Sequence, residues 1–177
     1  SAGALPGPAC YRHGGPLCVT DANVITGKIK KELFPAVFGP DVNEPLDENI
    51  VIKKFKELSE EVEFSTGEKR TPHEIAEGFL KIAVENMANA IKEISIQRGY
   101  DVSEYVLCCF GGAGGQHACK VADALGMETI FIHPLAGVLS AYGMGLADIR
   151  VMREKSVELP LDKEVIYKLS VEIDSLT

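Results

Sequence analysis

Residues 110–118, FGGAGGQHA, place four glycines in five positions between a short apolar run and an alanine-rich stretch. No helix or strand interior tolerates that density, because each glycine adds backbone entropy and removes a packing side chain. The segment must be a turn, and its flanks say between what. Tyr105 to Phe110 is β-rich and apolar, which predicts a buried strand. The segment up to Leu125 reads as a helix, and Gly126 is placed to stop it. Thr129 to Ile132 predicts a second buried strand, and 134–147 a second helix rich in small residues. Strand, glycine loop, helix, strand and helix form a parallel unit with a right-handed crossover. The expected fold class is α/β, with parallel strands, packed helices and one long helix.

A strand that delivers glycines into a helix suits phosphate. Gly111, Gly112, Ala113, Gly114 and Gly115 let a ligand approach the main chain without meeting bulky side chains. The helix start adds unpaired N–H groups and a positive dipole end. Gln116 and His117, expected on the first turn, could reach a ribose, a phosphate or a base. No G-K-[ST] closes the loop, so it is not a P-loop, and it misses G-x-G-x-x-G spacing. The other reading is a tight turn with close helix–strand packing, His117 being a hydrogen-bonded structural side chain.

Two further clusters carry candidates. In HPLAGVLSAYGMGLAD, residues 133–148, His133 ends a strand at the edge where open parallel sheets bind ligands. The following helix bears Ser140 among many small residues, suited to close packing or to a ligand alongside. In residues 6–23, Asp21 and Asn23 could hold a substrate amide or a metal-bound water. Asp21 could equally be a helix cap. Arg12 and His13 could bind an anion.

The rest of the chain reads as scaffold. Residues 1–16 are too rich in Gly and Pro for regular structure and are expected to be both an ordered loop against a larger body and the torn edge of a longer element. Thr20 or Asp21 should cap a short helix through Val24 and Ile25, ended by Gly27. Asp47 should open a second helix containing Ile50, Val51, Phe55 and Leu58, with 59–70 an exposed polar connection. Thr71-Pro72-His73-Glu74 starts the strongest helix, with a capping hydroxyl, an early Pro and a Glu at the third position. Ile75, Phe79, Ile82, Met87, Ile91 and Ile94 trace its expected apolar face to near Gly99. About 26 residues at 1.5 Å each would span about 39 Å. His73 is an exposed first-turn residue. Residues 149–159 are expected to add a strand, and 162–177 an amphipathic helix.

Net charge is −8, so a nucleic-acid backbone is repelled on balance. Lys28, Lys30 and Lys31 read as a solvated face. No stretch approaches the roughly 20 apolar residues of a spanning helix, and no signal-peptide pattern opens the chain. The five cysteines, irregularly spaced, form no disulfide framework or zinc motif, so no metal-ligand set is expected. Cys108 and Cys109 read as small core residues, and a reducing, cytoplasmic setting is expected.

Four stretches in order, SAGALPGPACY, GGPLCVTDAN, FGGAGGQHACKVADALGM and HPLAGVLSAYGMGLAD, resemble the hydantoinase A/oxoprolinase family, over residues 1 to about 155. That family includes ATP-dependent 5-oxoprolinases, N-methylhydantoinases and acetone-carboxylase subunits. The resemblance implies an actin-like ATPase with two ribonuclease-H-like lobes. Residues 1–161 would belong to the second lobe, with 162–177 a truncated C-terminal helix, and 111–117 would lie against the nucleotide. It implies ATP, with Mg2+, activating a cyclic amide such as a hydantoin or 5-oxoproline for ring opening. The related carboxylase subunit, or a non-catalytic nucleotide-binding or subunit-contact module, is the alternative. No first-lobe D-x-G-G-T-type loop is present, so the catalytic residues are expected outside the chain and the chain alone is expected to be inactive. The implied partners are the remaining lobes and a second hydantoinase B-type subunit or domain. An apolar surface normally covered by those lobes should then be exposed.

Overall fold

The structure is a computed structural model that describes residues 3–174, in two compact bodies, 1–139 and 140–177. In the first body the elements run α1 (Val19–Ile25), α2 (Glu48–Thr66), α3 (Pro72–Gln97), β1 (Leu107–Cys109), α4 (Ala118–Leu125) and β2 (Ile130–Ile132). The second begins inside α5 (Leu139–Leu146) and contains α6 (Val165–Asp174).

The long helix α3 organises the first body. Thr71 Oγ1 accepts from Glu74 N at 3.2 Å while Glu74 Oε2 accepts from Thr71 N at 2.7 Å. This reciprocal box satisfies helix donors that otherwise have no partner. The helix runs for 26 residues and ends before Gly99, which turns at φ +73°. Its buried stripe is Ile75, Ala76, Leu80, Val84 and Ala88. Ile82 and Ile94, expected inside, are exposed, and Met87 is partly so. The seam follows the four-residue spacing of 76, 80, 84 and 88, where two alanines admit neighbouring helices closely. Of the large side chains expected inside, Ile75 is buried and Phe79 and Ile91 pack half-buried against the core.

Two apolar clusters sit along α3. At its start Leu80, Ile75 and Ala76 pack with Val51 and Phe55 of α2, Ala22 and Val24 of α1, and Cys10. Phe55 meets Phe79 edge-on with ring centroids 5.7 Å apart. Further along, Val84 and Ala88 pack with Val121 and Leu125 of α4, and Leu107 of β1 lies against them.

Asp47 caps α2 through Ile50 N at 3.1 Å, as its position implies. The helix does not stop at residue 58 but continues to Thr66, with Gly67 at φ +73° as its C-cap. Residues 59–66 are polar because one face is solvated; Glu60, Glu61 and Glu63 are good helix formers.

β1 and β2 pair in parallel, Leu107 opposite Ile130 and Cys109 opposite Ile132. The strands are shorter than expected, and Phe131 and Ile132 are more than half exposed. Cys108 is also exposed; of the adjacent pair, Cys109 is the core residue. Parallel strands are ordinarily covered on both faces, and among the described residues this ribbon is covered on one.

The helix expected over 134–147 is a short 3-10 turn, Ala136–Val138, followed by α5. In the second body, residues 149–159 form no strand, lacking a partner edge among the described residues. α6 covers part of the expected final helix, and residues 175–177 of that expectation lie outside the described residues. Lys168 reaches Asp162 at 3.5 Å and Glu164 at 3.2 Å near the start of α6.

Candidate nucleotide site at the glycine loop

The parallel register brings the ends of β1 and β2 to one edge of the ribbon, so the glycine loop and His133 leave from the same side. Open parallel sheets bind ligands at such an edge. Gly111 adopts φ +87°, which favours glycine, and its N–H donates to Ala136 O at 2.8 Å. A Cβ on Gly111, Gly112 or Gly115 would meet nothing within 4 Å, whereas one on Gly114 would sit 3.0 Å from Cys109 Sγ. Within the described residues, tight packing therefore explains Gly114 and not Gly112 or Gly115. The main chain there is open to approach.

Gly114–Gln116 form a 3-10 turn, and His117, not the first turn of α4, is the N-cap position of that helix. The side chains of Gln116 and His117 accordingly turn back toward α1. Asn23 Nδ2 donates to Gln116 Oε1 at 2.7 Å and lies 3.4 Å from His117 Nε2. Asn23 and His117 are both buried, and Asn23 Oδ1 and His117 Nδ1 have no hydrogen-bond partner. Desolvation lowers the His117 pKa first, and the nearby Lys28 and Lys120 charges lower it further. The ring is held neutral.

Lys28, read from sequence as part of a solvated face, instead donates from Nζ to Gln116 O at 3.1 Å. No local pattern marks this, because the contact joins residues 88 apart in sequence. Lys31 pairs with Glu48 at 2.6 Å, in keeping with a surface role.

Asp21 is fully buried. Its Oδ2 accepts from Ala9 N at 3.1 Å and Cys18 N at 2.8 Å, and its Oδ1 from Cys10 N at 2.8 Å. The N-cap of α1 is Cys18, with Asp21 at the third helical position. The expected cap at Thr20 or Asp21 is thus displaced, and the carboxylate holds the N-terminal loop onto α1. Burial, then the Asp21 hydrogen bond and charge, push the Cys10 thiol far above its ordinary range.

Arg12 is equally committed. It pairs with Glu44 at 2.9 Å and Asp47 at 3.2 Å and donates from Nε to Pro45 O at 2.8 Å, so it pins the loop and does not await an anion. His13 is exposed. His133 Nδ1 accepts from Leu135 N at 3.0 Å, fixing the turn after β2. Ser140 is exposed on α5. Of the sequence candidates, Asn23, Gln116 and His117 come together around the loop.

Two concavities flank these residues. A cleft of ≈ 310 Å³ is lined by Met87 and Ile91 of α3, Phe110, Gly114, His117 and Val121. A larger one of ≈ 700 Å³ lies between Tyr11, Cys18 and Thr20 and the Phe79–Ile82 side of α3. The smaller takes in Phe110, Gly114 and His117 at the two ends of the loop, so it has the stronger claim to a ligand. Among the described residues no three His, Cys, Asp or Glu side chains gather as a cation site. No helix there is long and apolar enough to cross a membrane.

The sequence model of the Hydantoinase/oxoprolinase family matches residues 1–153. The chain belongs to the hydantoinase/oxoprolinase family. Within it, the chain is 46% identical over 168 residues to 5-oxoprolinase of Dictyostelium discoideum, covering 93% of this chain and 13% of that protein. It is 48% identical over 149 residues to 5-oxoprolinase of Saccharomyces cerevisiae, covering 84% and 12%. The chain therefore spans about an eighth of the length of these curated relatives. The crystal structure of the ATP-dependent caprolactamase from Pseudomonas jessenii superposes with TM-score 0.69 at 29% identity, over 99% of this chain and 26% of that one. A nucleotide-free acetone carboxylase gives TM-score 0.70 at 20% identity, over 96% and 24%, a likeness of fold. These neighbours agree with an α/β fold of the actin-like ATPase kind.

Proposed function

We propose that this chain is a nucleotide-binding segment, in the second ATPase lobe, of an ATP-dependent enzyme that opens a cyclic amide such as 5-oxoproline or a hydantoin. Residues 1–161 would form the lobe portion, with α6 following it. The observation that carries the reading is the open main chain at Gly112 and Gly115, beside the Asn23–Gln116–His117 group. Such a loop admits phosphate oxygens to backbone N–H groups, and a side chain at either glycine would project into that space.

The residues present fit the group. Residues 111–115 would hold the phosphates; His117, which lines the adjoining cleft, would lie nearest the ribose or base, while the Gln116 side chain is turned to Asn23. ATP, with Mg2+, supplies phosphorylation of the amide oxygen, which makes ring opening by water favourable. The chain's own contribution is to bind and orient. Asn23 keeps Gln116 turned, burial with the nearby Lys28 and Lys120 charges keeps His117 neutral, and Asp21 and Arg12 hold the N-terminal loop that carries α1. Mg2+ would be held by the phosphates and by carboxylates from elsewhere in the protein. His133 and Ser140 are candidates for substrate contact. The implied setting is cytoplasmic, and the partners are the other lobes and a hydantoinase B-type subunit or domain.

The test is ATP hydrolysis by the complete natural protein carrying this chain, with and without 5-oxoproline, in wild type and in Gly115→Val. Stimulation by 5-oxoproline, with a large rise in KM for ATP in the variant, supports the reading. Hydrolysis that the variant leaves unaltered would exclude the glycine loop from the nucleotide site.

A further inference from the structure

Gln116 is the residue at which the glycine loop hands over to α4, and it is gripped at both ends by one short stretch of distant chain. Its side-chain Oε1 accepts from Asn23 Nδ2 at 2.7 Å, and its main-chain O accepts from Lys28 Nζ at 3.1 Å. The two grips have different surroundings. Asn23 is almost wholly buried on α1, whereas Lys28 reaches in from an exposed position just past Gly27, which ends that helix at φ +72°.

The stretch that supplies both groups is itself rigidly mounted. Asp21, two residues before Asn23, takes three backbone N–H bonds from Ala9, Cys10 and Cys18. Thr26 Oγ1 bonds Ala22 O at 2.7 Å, and Ile29 N returns to Asn23 O at 3.0 Å. The glycine loop has no comparable mounting on its open side, where Gly112 and Gly115 face empty space. A loop of glycines is conformationally permissive, so its exit must be fixed from outside if its N–H groups are to point at a ligand.

We propose that Asn23 and Lys28 are positioning residues which clamp Gln116 and thereby set the geometry of the glycine loop for the nucleotide. The inference rests on the nucleotide reading of the loop and assigns α1 a part in it: the segment 21–29 acts on the ligand through Gln116 without touching it. Truncating either grip frees Gln116 and weakens nucleotide binding, with little change in the rate from the bound state.

The experiment is a double-mutant cycle on the complete natural protein, reading KM for ATP and kcat in wild type, Asn23→Ala, Gln116→Ala and the double variant. Loss of one such hydrogen bond should raise KM about tenfold, with kcat nearly constant. In the Gln116→Ala background, Asn23→Ala should add almost nothing, because the residue through which it acts is gone. Additive effects, or an unchanged KM in Asn23→Ala, would overturn the proposal. Lys28→Met, at an exposed position that tolerates substitution, gives the same readout should Asn23→Ala fold poorly; an unchanged KM there counts equally against the clamp. Gly112→Asp in the same series separates the two claims. If it leaves KM unchanged, the nucleotide reading itself fails; if it raises KM while the clamp variants do not, only the clamp fails.

Discussion

Asp21 Oδ1 accepts the backbone N–H of Cys10 at 2.8 Å, inside a core from which both residues exclude water completely. Together with the bonds from Ala9 and Cys18, this makes one carboxylate the anchor of a Gly- and Pro-rich loop that has little regular structure of its own. Asp21→Asn replaces an acceptor oxygen by an N–H donor facing other donors. It should destabilise the protein by roughly 2–4 kcal/mol. Equilibrium denaturant unfolding measures this, and a loss below about 0.5 kcal/mol would show that the loop does not depend on the carboxylate.

Glycines that look alike in sequence should respond differently to a methyl group. Gly126 ends α4 at φ +69°, so Gly126→Ala should cost about 1–2 kcal/mol through backbone strain. Gly115 has open space and no positive φ, so Gly115→Ala should leave the thermal midpoint almost unmoved while weakening ATP binding. Differential scanning calorimetry paired with ATP titration separates the two. A Gly115→Ala protein that melts early and binds normally would return that glycine to a packing role.

His117 makes stability depend on pH. Its pKa is lowered in the folded protein by desolvation, with Lys28 and Lys120 adding to it, so the unfolded chain takes up the proton first. The stabilising contribution is therefore complete above the unfolded value near 6.5 and is lost as pH falls through the lower folded value. Urea midpoints should decline between pH 7.5 and 5.5 in the wild type, and decline less in His117→Gln. Parallel declines in both proteins would assign the effect to other groups.

The capping box of α3 gives a second pH dependence at lower pH. Backbone and side-chain hydrogen bonds from Thr71 hold Glu74 below the usual carboxylate range. Its stabilisation is present above the unfolded value near 4.3 and disappears as pH falls through the folded one. Thr71→Ala should cost about 1 kcal/mol at neutral pH and should flatten the acid limb of the stability curve. A variant whose acid limb matches the wild type would exclude the box as its origin.

The parts of this protein that sequence expresses locally were legible in it. Thr71, Pro72 and Glu74 mark a helix start by chemistry within one turn, and Gly126 marks an end. The order strand, glycine loop, helix, strand followed from local patterns, and the parallel pairing of Leu107 with Ile130 agrees with it. What escaped was set by neighbours distant in the chain. The burial of Ala76 and Ala88 on α3, in place of Ile82 and Ile94, depends on which helices approach, and small residues carry little signal of their own. Arg12 looked ready for an anion because Glu44 and Asp47 lie more than thirty residues away. The meeting of Asn23 with Gln116, and the reach of Lys28 to the same residue, have no local signature at all.

The central claim is that the glycine loop at 111–115 is the nucleotide site, and isothermal titration of ATP with magnesium tests it most directly. The titration is run on this chain and on the complete natural protein, each as wild type and as Gly112→Asp. Gly112→Asp places a negative side chain in the open space above the loop, where a Cβ meets nothing within 4 Å. The expected result is saturable ATP binding by the complete wild-type protein, lost in the variant while its thermal midpoint is kept. Equal ATP affinity in the complete wild type and Gly112→Asp, both folded, would contradict the account.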